Sequence, residues 1–153
     1  MSTITLNDLK AEHNKLAHMI AVFETQARAY FHLPEKKIEL APGEHYAGII
    51  IGRDGEASHH VILLPDLPTD DLNFEAAGIW AKQTGGDLPT RREQSLLYAN
   101  CKDQFSGEWY WSGKAHEDTR YAWAQYFDDG GQDFYDGTDG QFRARAVRRL
   151  VIK

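Results

Sequence analysis

Apolar residues recur along this chain with two different periods, and the change from one to the other divides it. Leu6, Leu9, His13, Leu16, Ile20, Phe23, Ala27 and Tyr30 alternate at three and four residues with no intervening Pro or Gly. That spacing places them on one helical seam with a period near 3.5, the pattern of a coiled coil. Thr5 and Asp8 are spaced as a capping box at the start of this helix. Pro34 closes the segment, giving residues 1–33 as one unit. The seam can be covered by the protein's own domain or by self-association through Leu9, Leu16, Ile20 and Phe23, as a dimer or trimer.

Beyond Lys37 the period falls toward two. Residues 34–65 predict a β-hairpin: Tyr46–Gly52, a turn at Asp54-Gly55, and His59–Leu64. Phe74–Gln83 regains helical spacing, with Phe74, Ala77 and Ala81 facing inward and Ile79 and Trp80 widening the apolar face; Gly85-Gly86 ends it. Thr90 then caps a second helix over Arg91–Asn100, with Glu93 at its third position and Leu96, Leu97 and Ala99 on its buried side. Glu108–Ser112, Tyr121–Phe127 and Phe142–Ile152 read as strands. Tyr121, Trp123, Gln125 and Phe127 share one face of the middle strand.

Composition narrows the class. A 153-residue chain with 42% apolar and 26% charged residues suits a globular domain with its own core. The net charge of −6 disfavours nucleic acid as a partner. No apolar run approaches the length of a membrane span, so no membrane insertion is expected. Met1–Thr5 opens no signal peptide, which predicts cytoplasmic synthesis and leaves open a place in a virion. The single Cys101 excludes a disulfide framework and reads as a buried inert thiol. His59 and His60, adjacent on a strand, point to opposite faces and cannot share one ion.

Ten of the eighteen aromatic residues fall between Phe105 and Tyr135, interleaved with Asp, Gly, Gln and His. Rings of this kind anchor a platform on one side and offer rigid amphipathic groups on the other. No nucleophile elbow or phosphate-cradling glycine loop accompanies them, and no catalytic residue, metal site or cofactor is expected. Asp128, Asp129, Asp133, Asp136 and Asp139 read as solvated turn formers. Arg143, Arg145, Arg148 and Arg149 are expected to pair with that acidic loop and to protect an edge strand.

The order of a helix with Trp80, Gly85-Gly86, Leu88-Pro89-Thr90-Arg91 with Glu93, Trp109-Tyr110-Trp111-Ser112, Ala122-Trp123 with Phe127 and Gly130, and Arg145-Ala146-Val147-Arg148 resembles a family of C-type-lectin-like domains. Members form the C-terminal domains of collagen-like bacterial adhesins and occur in many phage and prophage proteins. The likeness covers about half of the chain, between Phe74 and Arg149.

It implies an α+β fold, two helices packed on small antiparallel sheets, in a domain over residues 34–153. It also implies a ligand-binding face drawn from Tyr110, Lys114, His116, Tyr121, Gln125, Asp128, Asp129, Gln132, Asp133, Tyr135 and Asp136, with Trp80, Trp109, Trp111 and Trp123 in the core. The calcium-dependent sugar motifs of the family are missing. Two functions follow: a non-enzymatic phage-encoded recognition module that binds a protein or glycan, or an intracellular phage accessory protein that modulates a host or phage factor.

Overall fold

The computed structural model describes residues 3–26, 30–134 and 137–153. The chain divides into two compact units, Met1–Leu33 and Pro34–Lys153. The first is built on helix α1 (Leu6–Thr25). Its start is fixed by the Thr5–Asp8 capping box, and the Thr5 amide donates to Asp8 Oδ2 at 2.8 Å. The helix ends at the Gln26 cap, short of the Tyr30 expected from periodicity; Ala27 lies outside the described residues. None of its side chains is buried.

The second unit is α+β, with two helices and two three-stranded antiparallel sheets among the described residues. Strands β1 (His45–Ile50) and β2 (His59–Leu63) form the expected hairpin, with Asp54 and Gly55 both at positive φ in the turn. Helices α2 (Phe74–Gln83) and α3 (Arg91–Cys101) follow. The second sheet runs β3 (Trp109–Ala115), β4 (Ala122–Tyr126) and β5 (Gln132–Asp133) in that order. The last strand, β6 (Val147–Val151), returns to the first sheet and gives it the order β1-β2-β6.

The last strand is shorter than its alternating sequence implies. Phe142 and Arg143 make only single bridges, to Leu72 and to Tyr110 of β3, before regular pairing starts at Val147. Two apolar clusters fill the interior. One lies between α3 and the first sheet, around Val61, Leu63, Leu97 and Phe127; the other packs α2 against Trp111, with Ala122, Ala124, Ala144 and Ala146. The small side chains at those four alanines let Trp111, which is fully buried, lie close to the backbone; its indole N–H donates to the Leu72 carbonyl at 2.6 Å. Ala99 and Ile79 are exposed, against the sequence expectation, because each lies on the flank of its helix turned from these clusters.

Helix α2 stops in a Schellman motif. Gly85, at φ +91°, donates to the Lys82 carbonyl, and Gly86 donates to the Ala81 carbonyl. Gly86 also runs against β6, where an added Cβ would stand 2.5 Å from the Val147 oxygen. Gly78, within α2, would place a Cβ in open space. Gly86→Ala should therefore lower stability by about 2–4 kcal/mol through backbone displacement. Gly78→Ala should raise it by roughly 0.5–1 kcal/mol through helix propensity. Urea denaturation of the two variants checks both signs.

Candidate functional site

The candidate recognition residues lie on and around strand β4, and its two ends differ. At its start, the 116–121 loop is held by the Tyr121 amide on the Asp118 carbonyl and the His116 amide on the Tyr121 carbonyl, both at 3.0 Å. His116 stacks on Phe134, with centroids 3.9 Å apart and planes 20° from parallel. Trp123 and Tyr121 meet Phe134 edge-on at 4.8 and 6.2 Å. All four rings are half-buried.

The polar frame of this cluster is fixed by its own bonds. His116 Nδ1 accepts from the Asp118 amide at 3.1 Å, so its proton sits on Nε2 in the neutral ring. Asp118 takes a bidentate grip from Arg120, and that hydrogen bonding holds its carboxyl at about 2. Lys114 stands exposed one residue before the end of β3.

Beneath the rings the Arg91 guanidinium lies 3.4 Å from the Trp123 ring centre, a cation–π contact that ties the start of α3 to β4. Gln132 locks the same junction: its Oε1 accepts from Arg91 Nε, and its Nε2 donates to the Arg91 carbonyl and to Gln125 Oε1. Trp123, expected in the core, is thus half-exposed and supports the surface rings.

The expected face is not one patch. Tyr110 and Gln125 are 5% and 1% exposed; the Tyr110 hydroxyl is engaged by Ser106, and Gln125 by Gln132. They belong to the platform and do not reach its surface. Asp128 and Asp129 are exposed at the opposite end of β4, about 16 Å away at ordinary strand rise. There the Asp128 carbonyl accepts from Lys102, and Asp129 Oδ1 accepts from the Gly131 amide. Asp133 is exposed and binds the Phe134 amide through Oδ1. His116, Tyr121 and Gln132 remain together at the ring cluster, while Lys114 is exposed on β3; Tyr135 and Asp136 lie outside the described residues. Phe134, Arg91 and Arg120 were not expected here. Their signal is the fold itself, since two of the three reach the cluster from other elements.

A second polar centre lies between α3 and the first sheet. Glu93 is fully buried, and its carboxylate receives four donors: His59 Nε2 at 2.7 Å, Arg149 Nε at 2.6 Å, Arg149 Nη2 at 2.8 Å and the Thr90 amide at 2.8 Å. Arg149 also reaches Asp87 at 2.9 Å, and Lys82 pairs with the other Asp87 oxygen. Arg148 makes a bidentate pair with Glu44. Arg145, 4% exposed, bonds the carbonyls of Gln104 and Leu64 and lies 5.2 Å from the Phe105 ring centre. Arg145, Arg148 and Arg149 therefore take partners other than the Asp-rich loop. Their register on β6 aims Arg148 and Arg149 at carboxylates on other elements.

His59 and His60 diverge as expected, His60 Nδ1 meeting the Tyr46 hydroxyl at 2.9 Å. Among the described residues no three His, Cys, Asp or Glu side chains converge to hold a metal. No described helix is long and apolar enough to cross a membrane. No protein-family model matches the chain, and no curated protein is significantly similar to it.

Burial pushes the Glu93 carboxyl up, but Arg149, the Thr90 amide and His59 together outweigh it and hold it below its ordinary value of 4.5. A depressed carboxylate contributes stability that is complete above its unfolded value and lost as pH falls through the folded one. Glu93→Ala should cost about 3–5 kcal/mol at neutral pH, since Arg149 is left without its buried partner. The variant should also lose part of the decline in stability that the parent shows below pH 4.5. Denaturation curves at a series of pH values read both effects.

Proposed function

We propose that this protein is a non-enzymatic recognition module of the C-type-lectin-like kind, phage- or prophage-encoded, which captures a protein or glycan through the end of its second sheet. The observation that carries this reading is the half-exposed cluster of His116, Tyr121, Trp123 and Phe134, gathered at the start of β4 and framed by the Asp118–Arg120 pair. Flat rings supply contact area at small entropic cost, and a sugar face or a peptide side chain stacks on them equally well. Fixed donors and acceptors around them orient such a ligand.

Chemistry at the other polar centre supports the same reading. All the acceptor capacity that Glu93 needs at its buried position is met by donors of the protein, which suits a structural anion better than an acid or base in turnover.

The N-terminal helix adds self-association. Leu9, Leu16, Ile20 and Phe23 are between 49% and 66% exposed, an apolar seam whose coverage by other copies would multiply weak binding sites.

Two measurements test the reading. His116→Ala combined with Phe134→Ala should reduce retention on a glycan array, or on an immobilised host-envelope extract, by tenfold or more while far-ultraviolet circular dichroism stays unchanged. Retained binding by the folded double variant would place the contact elsewhere. Deleting residues 1–30 should lower the mass in light scattering to that of a single chain; an unchanged monomeric mass in both forms would remove self-association.

A further inference from the structure

A cleft of about 850 Å³ opens between α2 and the start of α3, within the range of pockets that hold small organic ligands. It lies beyond the aromatic cluster in the reading above, and no residue of that cluster's four rings lines it.

Its interior is apolar for a physical reason. Phe74 and Gly78 stand one helical turn apart on α2, and Ile79 beside them is 54% exposed. Ile50 of β1 and Leu88 of the α2–α3 connection complete the apolar wall. Gly78 faces open space there: a Cβ would meet nothing within 4 Å. Exposed Ile79 is continuous with Phe74, Ile50 and Leu88 in one apolar lining, and a contiguous apolar surface gains from being covered.

The charge around the cleft is opposite to that of the protein as a whole. In a chain of net charge −6, the start of α3 brings Arg91 and Arg92 to the cleft. Arg92 donates to the Ile51 carbonyl at 2.9 Å, and Arg91 rests on Trp123 and Gln132, so neither guanidinium is neutralised by a carboxylate among the described residues. Lys82 and Arg149, which also line it, are by contrast paired with Asp87. Glu56 and Glu75 line it as well and stand exposed, in the β1–β2 turn and the first turn of α2.

We propose that this cleft binds a small amphipathic oxyanion, an acyl or aryl body ending in a carboxylate. The body lies along Ile50, Phe74, Ile79 and Leu88, and the head pairs with the guanidinium groups of Arg91 and Arg92. Guanidinium offers a carboxylate two parallel hydrogen bonds, which an ammonium or alcohol head cannot accept in the same way.

The probe is decanoate, titrated into the full chain by isothermal calorimetry beside decanol and decyltrimethylammonium. Saturable binding of one decanoate per chain is expected, with both uncharged and cationic analogues at least tenfold weaker. Gly78→Leu should narrow the cleft and weaken decanoate tenfold or more, with a melting temperature no lower than the parent's. Arg92→Glu, a change at the cleft rim, should do the same and decides the matter if the leucine variant folds poorly. Absence of saturable binding overturns the proposal, whether the cleft is empty or covered by a second copy. Equal binding of decyltrimethylammonium overturns it too, as does decanoate affinity indifferent to Arg92→Glu. Loss of decanoate binding in the folded His116→Ala, Phe134→Ala variant, with Arg92→Glu unaffected, would move the site to the ring cluster.

Discussion

One buried carboxylate holds the second unit together. Glu93, at the third position of α3, meets Arg149 from the last strand, His59 from β2 and the Thr90 amide from its own helix cap. A charge without solvent requires compensation, and here the compensation comes from segments far apart in sequence. Register follows from it. Arg149 lies opposite Val61, and a slip of one residue along β2 would turn the guanidinium to the other face of the sheet. Glu93 would then remain buried without its cation, so mispaired forms of the first sheet carry a penalty that the native pairing avoids.

The same helix start also fixes the surface. Arg91 and Glu93 are two residues apart: one faces β4 and Trp123, the other faces β6 and Arg149. Both sheets are thus referred to a single turn of α3. The half-exposed rings at the start of β4 rest on that turn through Arg91 and Gln132, which gives them a rigid floor.

What the sequence made legible was local. Thr5 with Asp8, Thr90 with Glu93, Asp54-Gly55 and Gly85-Gly86 act within a few residues, and each forms the cap or turn its chemistry dictates. The succession of helices and strands follows from the change in period, which is also local. Pairings between distant segments were not legible. Nothing in the spacing of Arg148 and Arg149 names Glu44 and Glu93 as their partners, and the Asp-rich loop was the nearer candidate in sequence. The aromatic stretch announced a platform, yet Tyr110 and Gln125 prove to be its interior and Asp128 and Asp129 its far end. Strand alternation gives the face of a residue, but which face is solvated depends on helices that arrive from elsewhere. The two-residue strand β5 is too short to leave any periodic trace.

Cys101, the chain's one thiol, ends α3 inside the cluster around Leu97 and Phe127, with only 3% of its surface reachable by solvent. Burial pushes its thiol above the ordinary value, Asp103 adding to the effect, so the nucleophilic thiolate is scarce while the helix stays docked. Alkylating reagents must therefore wait for α3 to lift from the first sheet. The molecule carries its own clock for that opening, readable at one atom without any label having been introduced.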